Sequence, residues 1–216
     1  NDLAMGRPEI FYAEVLNDVF PSGTTTQPVT ISAYSSEQVI IAPSSSTDNG
    51  ITFSSSAYVR LLNLIIDGTN LTAIGIAAVK MTYQNSSVFS HHITMDGCEV
   101  RNVPYAQANI GILMTCLQDG GEANHNTVTN CKVHDNGGTT GAVLNQNHGF
   151  YIQTSNNVIA NNLVYNNLSH GIQLEHSDAD DGRTDVCSNN QVYNNISFNN
   201  LHRAGILVSN GTNNQI

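Results

Sequence analysis

Ile159-Ala160-Asn161-Asn162-Leu163-Val164 is a phrase that the chain repeats: an apolar residue, a spacer, Asn, a residue that is mostly Asn or Cys, a spacer and a second apolar or small residue. It returns as Leu61-Leu62-Asn63-Leu64-Ile65-Ile66, Met95-Asp96-Gly97-Cys98-Glu99-Val100, Val128-Thr129-Asn130-Cys131-Lys132-Val133 and Val192-Tyr193-Asn194-Asn195-Ile196-Ser197. The fourth position falls at 64, 98, 131, 162 and 195, in steps of 34, 33, 31 and 33. A spacing this regular marks a solenoid, in which each coil is one structural unit stacked on the next. A second phrase, Gly followed by alternating apolar residues, interleaves with the first at Gly75-Ile76, Gly111-Ile112, Gly149-Phe150, Gly171-Ile172 and Gly205-Ile206. Each coil therefore carries at least two short strands of period two. Strands this short bury their inward side chains only by pairing with their equivalents about 4.8 Å above and below. The fold expected is all-β, a parallel β-helix, with Leu64, Cys98, Cys131, Asn162 and Asn195 as an inward ladder.

Composition agrees. Asn occurs 29 times, 21 of them after residue 120, and Asn suits left-handed turns and stacked amide ladders better than it suits helices. Only 11% of the residues are charged, and the net charge of −10 reflects the scarcity of Lys and Arg, 7 in all. A nucleic-acid partner is excluded as the expectation, since phosphate binding needs a clustered basic surface. No apolar run approaches the length of a membrane span. The chain starts at Asn1 and stops inside a repeat at Ile216, so residues 1–216 are expected to be one domain, a piece of a longer solenoid. Its terminal coils carry no capping sequence, which allows end-to-end association with further coils.

The stretches His148-Gly149-Phe150-Tyr151-Ile152-Gln153-Thr154-Ser155-Asn156-Asn157-Val158-Ile159-Ala160-Asn161-Asn162 and Ser169-His170-Gly171-Ile172-Gln173-Leu174 resemble repeats of the pectate lyase-like superfamily. Pro21-Ser22-Gly23-Thr24 through Pro28-Val29-Thr30-Ile31-Ser32-Ala33-Tyr34 is similar to a first coil of those proteins. The resemblance spans about residues 20 to 216 and implies a right-handed helix. It is weak for activity, because lyases, hydrolases, epimerases and adhesins share the repeat.

Loop lengths indicate where chemistry sits. From the Gly strand to the next ladder position the gaps are 22, 19, 12 and 23 residues (76 to 98, 112 to 131, 150 to 162 and 172 to 195). The coil at Phe150 is minimal between longer neighbours, which makes a floor with walls. With Phe150, Ile152, Ile172 and Leu174 inward, alternation turns Tyr151, Gln153, Gln173 and Glu175 outward. His148 and His170 fall at equivalent places of adjacent coils, about one strand spacing apart. Downstream lies the one dense cluster of charge, from Glu175 to Asp185.

These residues make up the expected site. His148, His170, Tyr151, Glu175 and Arg183 are the catalytic candidates, and Gln153, Gln173 and His176 the substrate-binding ones. Asp178, Asp180, Asp181 and Asp185 form an oxygen-rich loop suited to calcium, which takes six to eight oxygen ligands. The same run also reads as a solvated turn, and Glu175 with Asp178 or Asp180 as the acid and base of a glycosidase. His91, His92 and His125 read as loop residues, and His134 as part of a strip with Asp67, Arg101, Tyr165 and Phe198. Glu99 and Lys132 read as a surface ion pair. Cys98 and Cys131 are expected to stack in the interior, and Cys116 and Cys187 are the better candidates for a bridge.

On this reading the partner is a polysaccharide lying along the solenoid, and the protein is secreted or at the cell surface. A polysaccharide lyase leads on the resemblance; its chemistry on a uronate would need the carboxylate neutralised, a base for the C5 proton and an acid for the leaving oxygen. A glycoside hydrolase and a non-catalytic fibre or adhesin are the alternatives.

Overall fold

The computed structural model describes residues 9–35, 37–106, 108–116, 120–138, 146–176 and 186–216, and these contain no helix. Arg183, Asp178, Asp180, Asp181 and Asp185 lie outside the described residues. Three parallel sheets of six, seven and seven strands run the length of the molecule, and one antiparallel hairpin, Tyr83–Asn85 with Val88–Phe89, projects from it.

One coil shows the plan. Thr94–Asp96 lies in the first sheet, Glu99–Arg101 in the second and Ile110–Met114 in the third. The sequence phrase therefore holds two strands, not one, divided by a turn of two residues. The first of the two has positive φ in every coil: Asn63 at 56°, Gly97 at 66°, Asn130 at 55°, Asn161 at 58° and Asn194 at 54°. Asn and Gly are the residues that enter left-handed backbone at least cost, which is why the phrase demands them. The second turns inward, and Leu64, Cys98, Cys131 and Asn162 are at most 2% exposed.

Stacking aligns like with like. Leu61, Met95, Val128, Ile159 and Val192 are register partners in the first sheet, and all are buried. The apolar side chains join into one continuous core from Ile41 to Val192. Each large side chain buried in it stabilises the fold by about 1.5–3 kcal/mol.

The buried amides are satisfied coil to coil. The backbone N–H of Asn126 donates to Asn157 Oδ1 at 3.0 Å, that of Asn157 to Asn190 Oδ1 at 2.9 Å, and that of Asn190 to Asn214 Oδ1 at 2.9 Å. A parallel ladder runs through Asn136, Asn167 and Asn200. The Gly of the second phrase exists because of it. A Cβ on Gly149 would lie 2.6 Å from Gly171 O and 2.8 Å from Asn167 Nδ2, and one on Gly111 2.8 Å from Asn136 Nδ2.

All four cysteines are unbridged. Cys98 and Cys131 stack in the core as expected, and a hydrogen bond between their sulfurs together with burial pushes the Cys131 thiol far up. Cys116 and Cys187 do not form the expected bridge. The Cys187 thiol donates to Ile152 O at 3.3 Å and burial raises it to about 12, while Cys116 Sγ sits 3.3 Å from His176 Nδ1. The strip on the second sheet holds: Arg101 pairs with Asp67 at 2.8 Å, and the ring of His134 stacks on Tyr165 and Tyr165 on Phe198. Glu99 and Lys132 share a register position, but Glu99 turns to Arg101 and His134 instead.

Candidate functional site

The third sheet carries the expected floor. Phe150–Ile152 pairs with Ile172–Leu174, which sets Tyr151 opposite Gln173, with Leu113 and Leu207 on either side. Tyr151 is half-buried and rests on the outward apolar patch of Ala77, Ile110 and Leu113. Gln153 and Glu175 follow their strands and continue the register, since the N–H of Glu175 donates to Ile152 O at 3.1 Å. Tyr151 and Glu175 thus share a sheet and a face.

His148, Tyr151, His170, Gln173 and Glu175 line a cavity of about 330 Å³, together with Arg203. The two imidazoles are stacked, ring centres 5.2 Å apart, and the Tyr151 ring lies 5.3 Å from that of His148. Both histidines also serve the fold: His148 Nδ1 accepts the N–H of His170 at 3.2 Å, and His170 Nδ1 accepts the N–H of Ala204 at 3.1 Å. A ring whose Nδ1 accepts carries its proton on Nε2 when neutral. Burial and the nearby Arg203 guanidinium hold His170 below its ordinary value, which favours that neutral form. His170 is therefore placed to donate a hydrogen bond into the cavity from Nε2.

Gln173 is 5% exposed and its amide nitrogen donates to Glu175. Its Oε1 is buried and has no partner among the described residues. A buried amide oxygen left without a donor costs about 1–3 kcal/mol.

Two expectations need correction. His176 does not line the cavity; it is buried beside Cys116, and its N–H donates to Asn210 Oδ1 at 2.8 Å. The period of two persists past Leu174, so His176 turns away from the side that Glu175 occupies. Gln153 keeps to the expected face but lies outside the cavity lining. Among the described residues no group of three or more His, Cys, Asp or Glu is arranged to hold a metal ion.

Sequence reasoning missed Arg203 and Lys80. Arg203 precedes Ala204, the register equivalent of His148 and His170, so aligning the residues before each Gly would have found it. Lys80 stands in the row of Leu113, Tyr151 and Gln173, two coils from Tyr151, or about 10 Å by strand spacing. Burial pushes its ammonium group down.

The A-module of a mannuronan C-5 epimerase from Azotobacter vinelandii has a similar structure, with a TM-score of 0.52 at 15% identity over 94% of this chain. The match covers 59% of the epimerase module, so this chain spans about three fifths of it. An alginate lyase from a Paenibacillus species aligns with a TM-score of 0.39 at 14% identity, over 96% of this chain and 91% of the lyase. No curated protein sequence matches. Among the described residues no helix is long and apolar enough to cross a membrane. The model of the right-handed β-helix region matches residues 49–216, and the chain belongs to that family.

Proposed function

We propose that the chain is a carbohydrate-active β-helix protein that acts as a polysaccharide lyase on a uronate polymer, in the cavity on the third sheet. The convergence of Glu175, Tyr151, His170 and Arg203 on one cavity carries the reading: the lining is polar, dense in groups for sugar hydroxyls, and includes a cation for a carboxylate. Arg203 neutralises the uronate carboxylate and the Nε2–H of His170 donates a hydrogen bond to it, which together acidify the C5 proton. Glu175 accepts that proton, and the Tyr151 hydroxyl protonates the departing glycosidic oxygen. A glycoside hydrolase, which calls for two carboxylates, is the second reading, with Glu175 and either Asp178 or Asp180 as the pair. Calcium bound by Asp178, Asp180, Asp181 and Asp185 remains part of the proposal from sequence alone, as does secretion or display at the cell surface.

The test is a panel of uronate and neutral polysaccharides incubated with the protein. Ultraviolet absorbance from unsaturated ends, confined to uronate polymers, is the expected result. New reducing ends without that absorbance would replace the lyase with a hydrolase. Changed sugar configuration without new ends, read by proton NMR, would leave proton abstraction at C5 and remove the elimination. No change to any polymer would reject the enzyme.

A further inference from the structure

Six consecutive coils place a residue with positive φ two positions before the first-sheet register row of Arg60, Thr94, Thr127, Val158, Gln191 and Gln215. In the last three it is Asn: Asn156 at 60°, Asn189 at 57° and Asn213 at 57°. In the first three it is Tyr58, His92 and His125, each at 55°. Of these residue types Tyr enters left-handed backbone least readily, while His shares with Asn an enrichment there. The three rings form a column. Tyr58 stacks on His92 with centres 4.6 Å apart, and His92 on His125 at 5.1 Å with planes 4° apart. His91 meets the column edge-on, its Nδ1 2.8 Å from His92 Nδ1.

Beside the column lies a cavity of about 210 Å³ whose other walls are Arg60 and the threonines Thr24, Thr25, Thr94 and Thr127. Among the described residues no carboxylate lines it. Arg60 is exposed and forms no ion pair among the described residues. An unpaired guanidinium among hydroxyls and imidazoles is the donor set that an oxyanion takes.

We propose that Tyr58, His92, His125 and Arg60 form a second ligand site, on the first sheet, that binds an oxyanion, either a carboxylate borne by an acidic saccharide or free phosphate. The site does not depend on the activity assigned to the third sheet. Around His92 stand Tyr58, Arg60, His91 and His125; Asp96, two residues beyond Thr94, is engaged by Asn130 at 2.7 Å and by Thr129. Burial and the neighbouring imidazoles hold His91 and His92 below their ordinary value. A bound anion favours the protonated rings, so affinity rises as pH falls through their titration.

The test follows the imidazole C–H resonances of His92 and His125 while the protein is titrated with a galacturonate trisaccharide, a neutral trisaccharide and inorganic phosphate. Shifts that saturate with either anion are expected. Saturation with galacturonate alone assigns a polymer-borne carboxylate, and saturation with phosphate assigns the oxyanion itself. Arg60→Gln should weaken binding by about tenfold, the loss of one charge-assisted contact. A His92→Asn/His125→Asn double variant installs the residue of the later coils, so it should keep its melting temperature and lose binding. No saturable shift with either anion, equal response to the neutral sugar, or full affinity in Arg60→Gln would overturn the proposal.

Discussion

The Nδ1 atoms of His148 and His170 accept backbone N–H groups, and that sets what each ring can do. A substitution at His170 removes a donor from the cavity and also leaves the Ala204 N–H without its acceptor. His170→Ala should therefore lose activity and about 1 kcal/mol of stability together, the usual net worth of one hydrogen bond; unchanged thermal unfolding would show that the bond contributes nothing. His170, His91 and His92 share a direction of titration. Each is held down in the fold, chiefly by burial, so the unfolded chain binds protons more readily near their ordinary value of about 6.5. Stability is then fully present above that value and is lost as pH falls through the lower folded values. Melting temperatures at pH 7.5 and pH 5.5 check the sign, and a higher value at pH 5.5 would contradict it. Alternation identified Tyr151, Gln173 and Glu175 from the sequence because it is set by backbone geometry. The proton positions on the histidines were not legible, because they depend on backbone N–H groups supplied by the next coil.

At the scale of the elements, each turn of the coil is a ladder of Asn with a Gly or an inward residue packed against it. Asn157 is fully buried, accepts the Asn126 N–H and donates to Thr154 and Asn190. Asn157→Ala should cost about 2 kcal/mol or more, because removing one member orphans buried groups on both neighbouring coils. Gly149→Ala should cost about 1–3 kcal/mol by overpacking, since its Cβ would meet Gly171 O and Asn167 Nδ2. Denaturant midpoints decide both, and a neutral Gly149→Ala would mean that the Asn ladder yields. The repeat made one inward ladder legible, that of Leu64, Cys98, Cys131, Asn162 and Asn195, while the ladders through Asn157 and Asn167 lie outside its quoted phrase and emerge only in register. The ring column of Tyr58, His92 and His125 escaped notice as well. Its members differ in residue type and sit outside the quoted phrases, so their equivalence appears only when the strands are put in register.

For the whole molecule, one face of the solenoid carries the cavity and another the ring column, both built on rows that step by one strand spacing. Resemblance and regular spacing were enough for the architecture. The walls were less legible, because loop residues obey no period. The acidic loop bears the remaining prediction. If Asp178, Asp180, Asp181 and Asp185 bind calcium, chelation lowers the melting temperature and millimolar calcium restores it by mass action; an unchanged melting curve would leave a solvated turn.

In the proposed function the cavity on the third sheet performs proton abstraction on a uronate polymer with Glu175 as the base. Wild type and Glu175→Gln compared on the same uronate polymer test it most directly, by absorbance of unsaturated ends with the melting temperature as a folding control. A steady rise is expected for the wild type, and a loss of at least about 100-fold in Glu175→Gln, the ordinary contribution of a general base, at unchanged melting temperature. A Glu175→Gln variant that cleaves as fast as the wild type would contradict the proposal.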